Sequence, residues 1–243
     1  MTETVVIVGA GVPDGVGGAL ALRFAREGYH IIVSGRTLEK VEATAQAVRD
    51  ANGSAEAIRA DVASEEDMAD LFAKVKAVGH PIAATLYNAG NNRPIPFEKL
   101  TPDQFTDFWR SGCFGGFLTA HHALPILRAQ GRGSLFFTGA SGSLRGKPNF
   151  GHFASAKAGL RNLAQSLARE YGPHGVHVAH VIIDGVINGN RIKDSPVAAY
   201  LEKLGDDGSL DPIAIAETFW SLHVQPKSAW THEMDLRPFK ENW

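Results

Sequence analysis

Apolar residues fall into short dense runs, separated by longer stretches in which they return every three or four positions. The dense runs are "TVVIVGA" (4–10), "HIIVSG" (30–35), "PIAATLYNAG" (81–90), "GSLFFTGA" (133–140) and "HVAHVIIDG" (177–185). Each is short, rich in β-branched or aromatic residues and closed by a glycine, which predicts strands buried on both faces. A weaker strand is predicted near 55–60 and a final short one around "HEMDL". Between them, 15–28, 38–53, the stretch after Ser64, parts of 102–130, 153–172 and 212–223 read as helices. Gly28 serves as the stop of the first helix, and Ser64 as a cap with acids in the turn that follows it. Strand and helix alternating six times predict an α/β fold: a single Rossmann-type, doubly wound parallel sheet with helices on both faces. Nothing in the chain reads as a linker, repeat or low-complexity segment, so 1–243 is expected to form one domain.

Composition narrows the class of function more than it names one. Hydrophobic residues make up 44% and charged residues 21% of the chain, enough to bury a substantial core. A net charge of −2 offers no electrostatic case for nucleic acid or an anionic membrane. No apolar run reaches the ~20 residues a spanning helix requires, and "MTETVVIVGAG" lacks the basic start of a signal sequence. Cys113 is the only cysteine, which excludes an internal disulfide and suits a reducing, cytoplasmic setting. The ten histidines never fall at ligand spacing, and the adjacent His121 and His122 would diverge on a helix, so no metal is expected.

The chemistry begins at "GAGVPDGVGGALA", which joins the first strand to the first helix. Gly11, Gly15 and Gly17 form a GxxxGxG pattern around Val16. Glycines there let backbone approach a pyrophosphate while the helix N-terminus points N–H groups at it. The strict GxGxxG spacing fails because Asp14 stands three residues after Gly11, and a merely tight turn is the alternative. At the end of the second strand stand Ser34, Gly35 and Arg36. An acid there would bond a ribose 2′-hydroxyl, whereas a guanidinium suits a 2′-phosphate. NADP is therefore the expected cofactor, with NAD possible; a solvated surface arginine is the alternative reading of Arg36.

With these landmarks in order, followed by "ADV" (60–62), "NAG" (88–90), "FASAK" and "IDG", the chain resembles the short-chain dehydrogenase/reductase family over nearly its full length. The resemblance implies that Asp61 and the Val62 backbone meet the adenine, and that Asn88 and Gly90 hold the central strand against a ribose. It further implies that Gly185 and Ile187 follow the sixth strand beside the nicotinamide. In the family a YxxxK pair does the chemistry, its lysine holding the ribose and lowering the tyrosine's pKa. Lys157 matches the lysine, but Phe153 occupies the tyrosine position and cannot donate a proton. The longer spacing of enoyl reductases does not help, because position 150 is also Phe.

Other positions depart as well. The usual serine falls on Ala140, the helix asparagine on Gly112, and Asp184 replaces the proline before Gly185. Ser141 and Ser143 lie close enough to orient a substrate, and His152 or Tyr200 is a further candidate acid. The expected function is an NAD(P)-dependent oxidoreductase with an atypical site, transferring hydride to a carbonyl or activated double bond of a small molecule. The alternative is an inactive NADP-binding relative that acts as sensor or scaffold. A substrate lid is expected at 188–211, with Trp109, Phe117 and Phe150 as candidate pocket residues. Family behaviour also implies a homodimer or homotetramer built on the helices in 102–130 and 153–172, with Gly115, Gly116 and Ala158 allowing close approach.

Overall fold

A computed structural model describes residues 2–189 and 198–241. Seven strands form one parallel sheet in the order β3-β2-β1-β4-β5-β6-β7. They are β1 Thr4–Val8, β2 His30–Gly35, β3 Ser54–Arg59, β4 Ile82–Tyr87, β5 Gly133–Thr138, β6 Val176–Ile183 and β7 Glu233–Leu236. Uniform burial along β1, β4 and β6 explains their unbroken apolar runs. Successive side chains of β1 feed opposite cores: Val5 and Ile7 join Leu20, Phe24, Phe136 and Phe219. Val6 and Val8 join Met68, Leu71, Tyr87, Phe137 and Leu160 on the other face.

The first face is covered by α1 (Val16–Ala25), α2 (Leu38–Asp50) and α8 (Pro212–His223), the second by α3 (Glu65–Ala77), α5 (Gly115–Gln130) and α6 (Gly151–Tyr171), with α4 (Pro102–Trp109) packed on α6. Ser64 caps α3 as expected, accepting from Asp67 N at 3.1 Å. Thr101 and Gln104 close a capping box at α4, with Pro102 in the first turn. The first helix stops at Ala25, and Gly28 (φ +86°) ends the turn beyond it.

Two features correct the sequence reading. The helical stretch in 102–130 is continuous but contains a π turn, Arg110–Phe114, between α4 and α5. Tyr87 hydroxyl donates to the Ser111 carbonyl at 2.6 Å, and a Cβ on Gly115 would stand 2.7 Å from that hydroxyl. Gly115 therefore faces its own core rather than another subunit. Gly116 does the same, lying against Leu160. In the expected lid, 188–211, the structure describes 188–189 and 198–211, including a helix, α7 (Ala198–Leu204); the rest of the lid lies outside the described residues.

Candidate active site

Because the sheet is parallel, the segments following β1, β2, β3, β4, β5 and β6 all emerge at one edge, where ligands of open α/β sheets bind. This topology gathers Gly11–Gly17, Arg36, Asp61–Val62, Asn88–Gly90, Ser141–Ser143 and Gly185–Ile187, although they are scattered along the chain. Helix α6 starts at the same edge and brings Phe153 and Lys157 to it.

The turn after β1 is built for close approach. Gly9 and Gly11 have φ of +86° and +70°. The N–H groups of Gly9 and Ala10 both donate to the Ser34 carbonyl, at 2.8 and 2.9 Å, and Thr44 Oγ1 holds the Gly11 carbonyl at 2.9 Å. A Cβ on Gly9 would fall 2.5 Å from Ala89 Cα, and one on Gly17 would overlap the Ala10 carbonyl. Helix α1 is preceded at its cap by Gly15, which has no side chain to satisfy the helix N–H groups. Arg36 is exposed and has no ionic partner among the described residues. Asp61 folds back to accept Ala63 N at 3.0 Å through Oδ1, and Val62 is buried beneath Gly115. Val16 is also buried.

At the centre, Asn88 ties three strands together. Its Nδ2 donates to the Gly9 carbonyl at 3.0 Å, its Oδ1 accepts from Thr138 Oγ1 at 3.1 Å, and its backbone N donates to Val8 O. Lys157 is 5% exposed, and its Nζ donates to the Thr138 carbonyl at 2.7 Å. A Cβ on Gly90 would sit 3.5 Å from Nζ, so the glycine leaves the ammonium one open side. Burial pushes the Lys157 pKa down to about 8, with the nearby Cys113 partly opposing the shift.

Phe153 lies where its helix position implies, beside the serines: a Cβ on Gly142 would be 2.9 Å from the ring. Ser143 is buried and spends its hydroxyl on the Ala140 carbonyl at 2.7 Å. Ser141 keeps its hydroxyl without a partner among the described residues, which makes it the better placed of the two. His152 points elsewhere. Its Nε2 faces the Arg93 carbonyl at 3.2 Å, its ring packs on Phe108, and burial lowers its pKa. It anchors the loop after β4 and is removed as a candidate acid. Tyr200 stands half-exposed on α7. Trp109 and Phe117 stack through Phe114 along the α4–α5 helix, while Phe150 precedes α6. Gly185 takes φ +154° against Pro238, and Ile187 bridges to Leu210.

Two networks escaped the sequence reading because their members lie far apart in the chain. Asp184, 1% exposed, takes Arg145 Nη2 on both oxygens at 2.9 and 2.8 Å. Behind Lys157, buried His180 meets Glu233 Oε2 at 3.1 Å, and Arg161 clamps Glu233 through two bonds of 2.6 Å. The His180 ring rests on Gly139. Burial holds His180 near pKa 4, and Arg161 holds Glu233 below the usual carboxylate range. No group of histidine, cysteine and acidic side chains suited to a metal occurs among the described residues. Likewise, none of the described helices is long and apolar enough to cross a membrane.

Comparisons with known proteins agree with this architecture. The family model described as short chain dehydrogenase matches residues 3–194. Oxidoreductase asL5 of Sarocladium schorii is 31% identical over 176 residues, covering 72% of this chain and 69% of that protein. The 3-oxoacyl-[acyl-carrier-protein] reductase FabG of Aggregatibacter actinomycetemcomitans is 30% identical, covering 89% of each. A crystal structure of a short-chain dehydrogenase from Rhodopseudomonas palustris superposes with a TM-score of 0.82 at 35% identity, covering 98% of this chain and 99% of that one.

Proposed function

The chain belongs to the short-chain dehydrogenase family, an oxidoreductase family, and on that premise we propose that it is a nicotinamide-dinucleotide-dependent oxidoreductase acting on a carbonyl or activated double bond of a small molecule. The observation that carries the reading is Lys157: a buried ammonium held by Thr138 opposite Gly90, at the edge where the glycine turn also emerges. A dinucleotide fits the cradle, because side chains are excluded at Gly9 and Gly17 and Gly15 leaves the α1 N–H groups uncapped. Gly11, Gly15, Val16 and Gly17 would hold the pyrophosphate, Asp61 and Val62 the adenine, and Asn88, Gly90 and Lys157 the ribose. Gly185 and Ile187 would flank the nicotinamide, which supplies or accepts the hydride.

NADP is the favoured dinucleotide, since exposed Arg36 stands where an acid would repel a 2′-phosphate. Ser141 orients the substrate oxygen, and Phe153 shields that side from water without supplying a proton. Reduction of an activated double bond suits such a site, because water can protonate the resulting carbon. The chain acts as one domain, in the cytoplasm, as a homodimer or homotetramer. The test is a fluorescence titration of NADPH and NADH. Arg36→Ala is expected to weaken NADPH by about 1.5–3 kcal/mol, as for a charge-assisted contact, and NADH far less. Equal losses would remove the phosphate role.

A second reading, a binding protein without turnover, is favoured by the joint loss of acid, serine and asparagine at Phe153, Ala140 and Gly112. Tight NADPH binding without oxidation across ketone, aldehyde and enoyl panels would select it.

A further inference from the structure

The proline expected before Gly185 is replaced by Asp184, and the residue that answers it is Arg145, four positions after Ser141. The Arg145 backbone N donates to the Ser141 carbonyl at 3.1 Å, so its side chain leaves the same turn that presents the free Ser141 hydroxyl. Asp184 is buried, and a buried carboxylate requires a committed partner. One nitrogen of Arg145, Nη2, meets that requirement by bonding both carboxylate oxygens. Arg237 Nη2 stands at 4.0 Å on the same carboxylate. Arg145 Nε and Nη1 have no partner among the described residues, and 36% of the side chain is exposed. A guanidinium anchored by one nitrogen, with further donors open at the sheet's carboxyl edge, is a preorganised anion receptor.

Two neighbouring loops add basic side chains. Loops 91–97 and 144–150 are tied together by Ile95 N donating to the Asn149 carbonyl at 2.8 Å, and by His152 on the Arg93 carbonyl. Their sequences, "NNRPIPF" and "LRGKPNF", hold Arg93, Arg145 and Lys147 and no acid, in a chain whose net charge is −2. Arg93 lies over the Phe108 ring, and Lys147 is exposed. A rim of this kind concentrates anions at a cleft.

We propose that the substrate carries a carboxylate, and that Arg145, held by Asp184, binds it beside Ser141. The inference rests on the oxidoreductase reading and names its substrate class: carbonyl or enoyl compounds that bear a carboxylate, rather than neutral ones. Lys147 and Arg93 steer the anion, and Arg145 seats it.

The test titrates pyruvate, acetoacetate and levulinate, each against its neutral amide, into the protein with and without NADP⁺ by calorimetry. At least one acid is expected to bind tenfold or more tighter than its amide. Arg145→Gln should abolish that preference and Arg145→Lys should retain only part of it, since an ammonium lacks the planar fork. Because Arg145→Gln strands a buried carboxylate, the double variant R145Q/D184N removes both charges. It should keep the fold and NADPH affinity while losing the preference. Equal binding of acids and amides would overturn the proposal, as would a preference that survives in the double variant; Arg145 and Asp184 would then form a purely structural ion pair. Absence of NADPH binding would instead overturn the oxidoreductase reading, and the arm without nucleotide still reads the carboxylate preference directly.

Discussion

At position 153 a phenyl ring stands where the family's tyrosine would carry a hydroxyl. The ring already lies against Gly142, beside the Ser141 turn, and one helical turn from Lys157. Phe153→Tyr should therefore place a phenol near an ammonium that stabilises phenolate. Lys157 carries that charge below about pH 8 and loses it above, so the gain in carbonyl reduction with NADPH should be largest below pH 8 and fade as pH rises. With Ala140 and Gly112 unchanged, the gain should stay well short of the ~10²–10⁴-fold that a complete general acid supplies. A native protein that already reduces ketones well, with no gain in the variant, would place its acid elsewhere.

Among the elements, the π turn between α4 and α5 depends on a β4 side chain. Buried Tyr87 donates to the Ser111 carbonyl, and burial raises its pKa, so it remains a neutral donor. Tyr87→Phe leaves that carbonyl unpaired and should cost about 1–3 kcal/mol in urea unfolding; no change would show that another donor reaches Ser111. A second coupling joins α6, β6 and β7 through Arg161, His180 and Glu233. Unfolded histidine takes a proton near pH 6.5, whereas buried His180 resists until about pH 4. Stability should therefore fall as pH drops from 6.5 toward 4, by about 3 kcal/mol from His180 alone, and His223 adds in the same direction. A flat denaturation midpoint over that window in the native protein would contradict the assigned burial. The strands and the glycine turn were legible because strand burial and turn glycines leave local signatures at 4–10, 81–90 and 9–17. The π turn leaves none, and Arg145–Asp184 and His180–Glu233 are met only once β5, β6 and β7 lie side by side. Adjacency to Phe153 on a helix does not give His152 a shared direction, and its ring packs on Phe108 instead.

At the scale of the whole molecule, an aromatic ridge runs along the α4–α5 helix, whereas Gly115 and Gly116 face the chain's own core. Trp109, Phe114, Phe117 and His121 stack in succession, with ring separations of 5.7–5.9 Å, and Trp109 and Phe117 are exposed. Light scattering at micromolar concentration should give a dimer or tetramer mass, and Phe117→Glu should lower it; a monomeric native mass would reject the assembly. The sheet order carries another consequence, for the growing chain on the ribosome. β1 is made before both its neighbours, yet it lies inside the sheet, paired with β2 and with β4, whose first residue is Ile82. At ~5–20 residues per second, roughly 4–15 s pass between the synthesis of Val8 and that of Ile82. Throughout that interval β1, apolar after Thr4, has no partner on its β4 side. Until β4 is made, that open side of β1 is where the nascent chain is most exposed to mispairing.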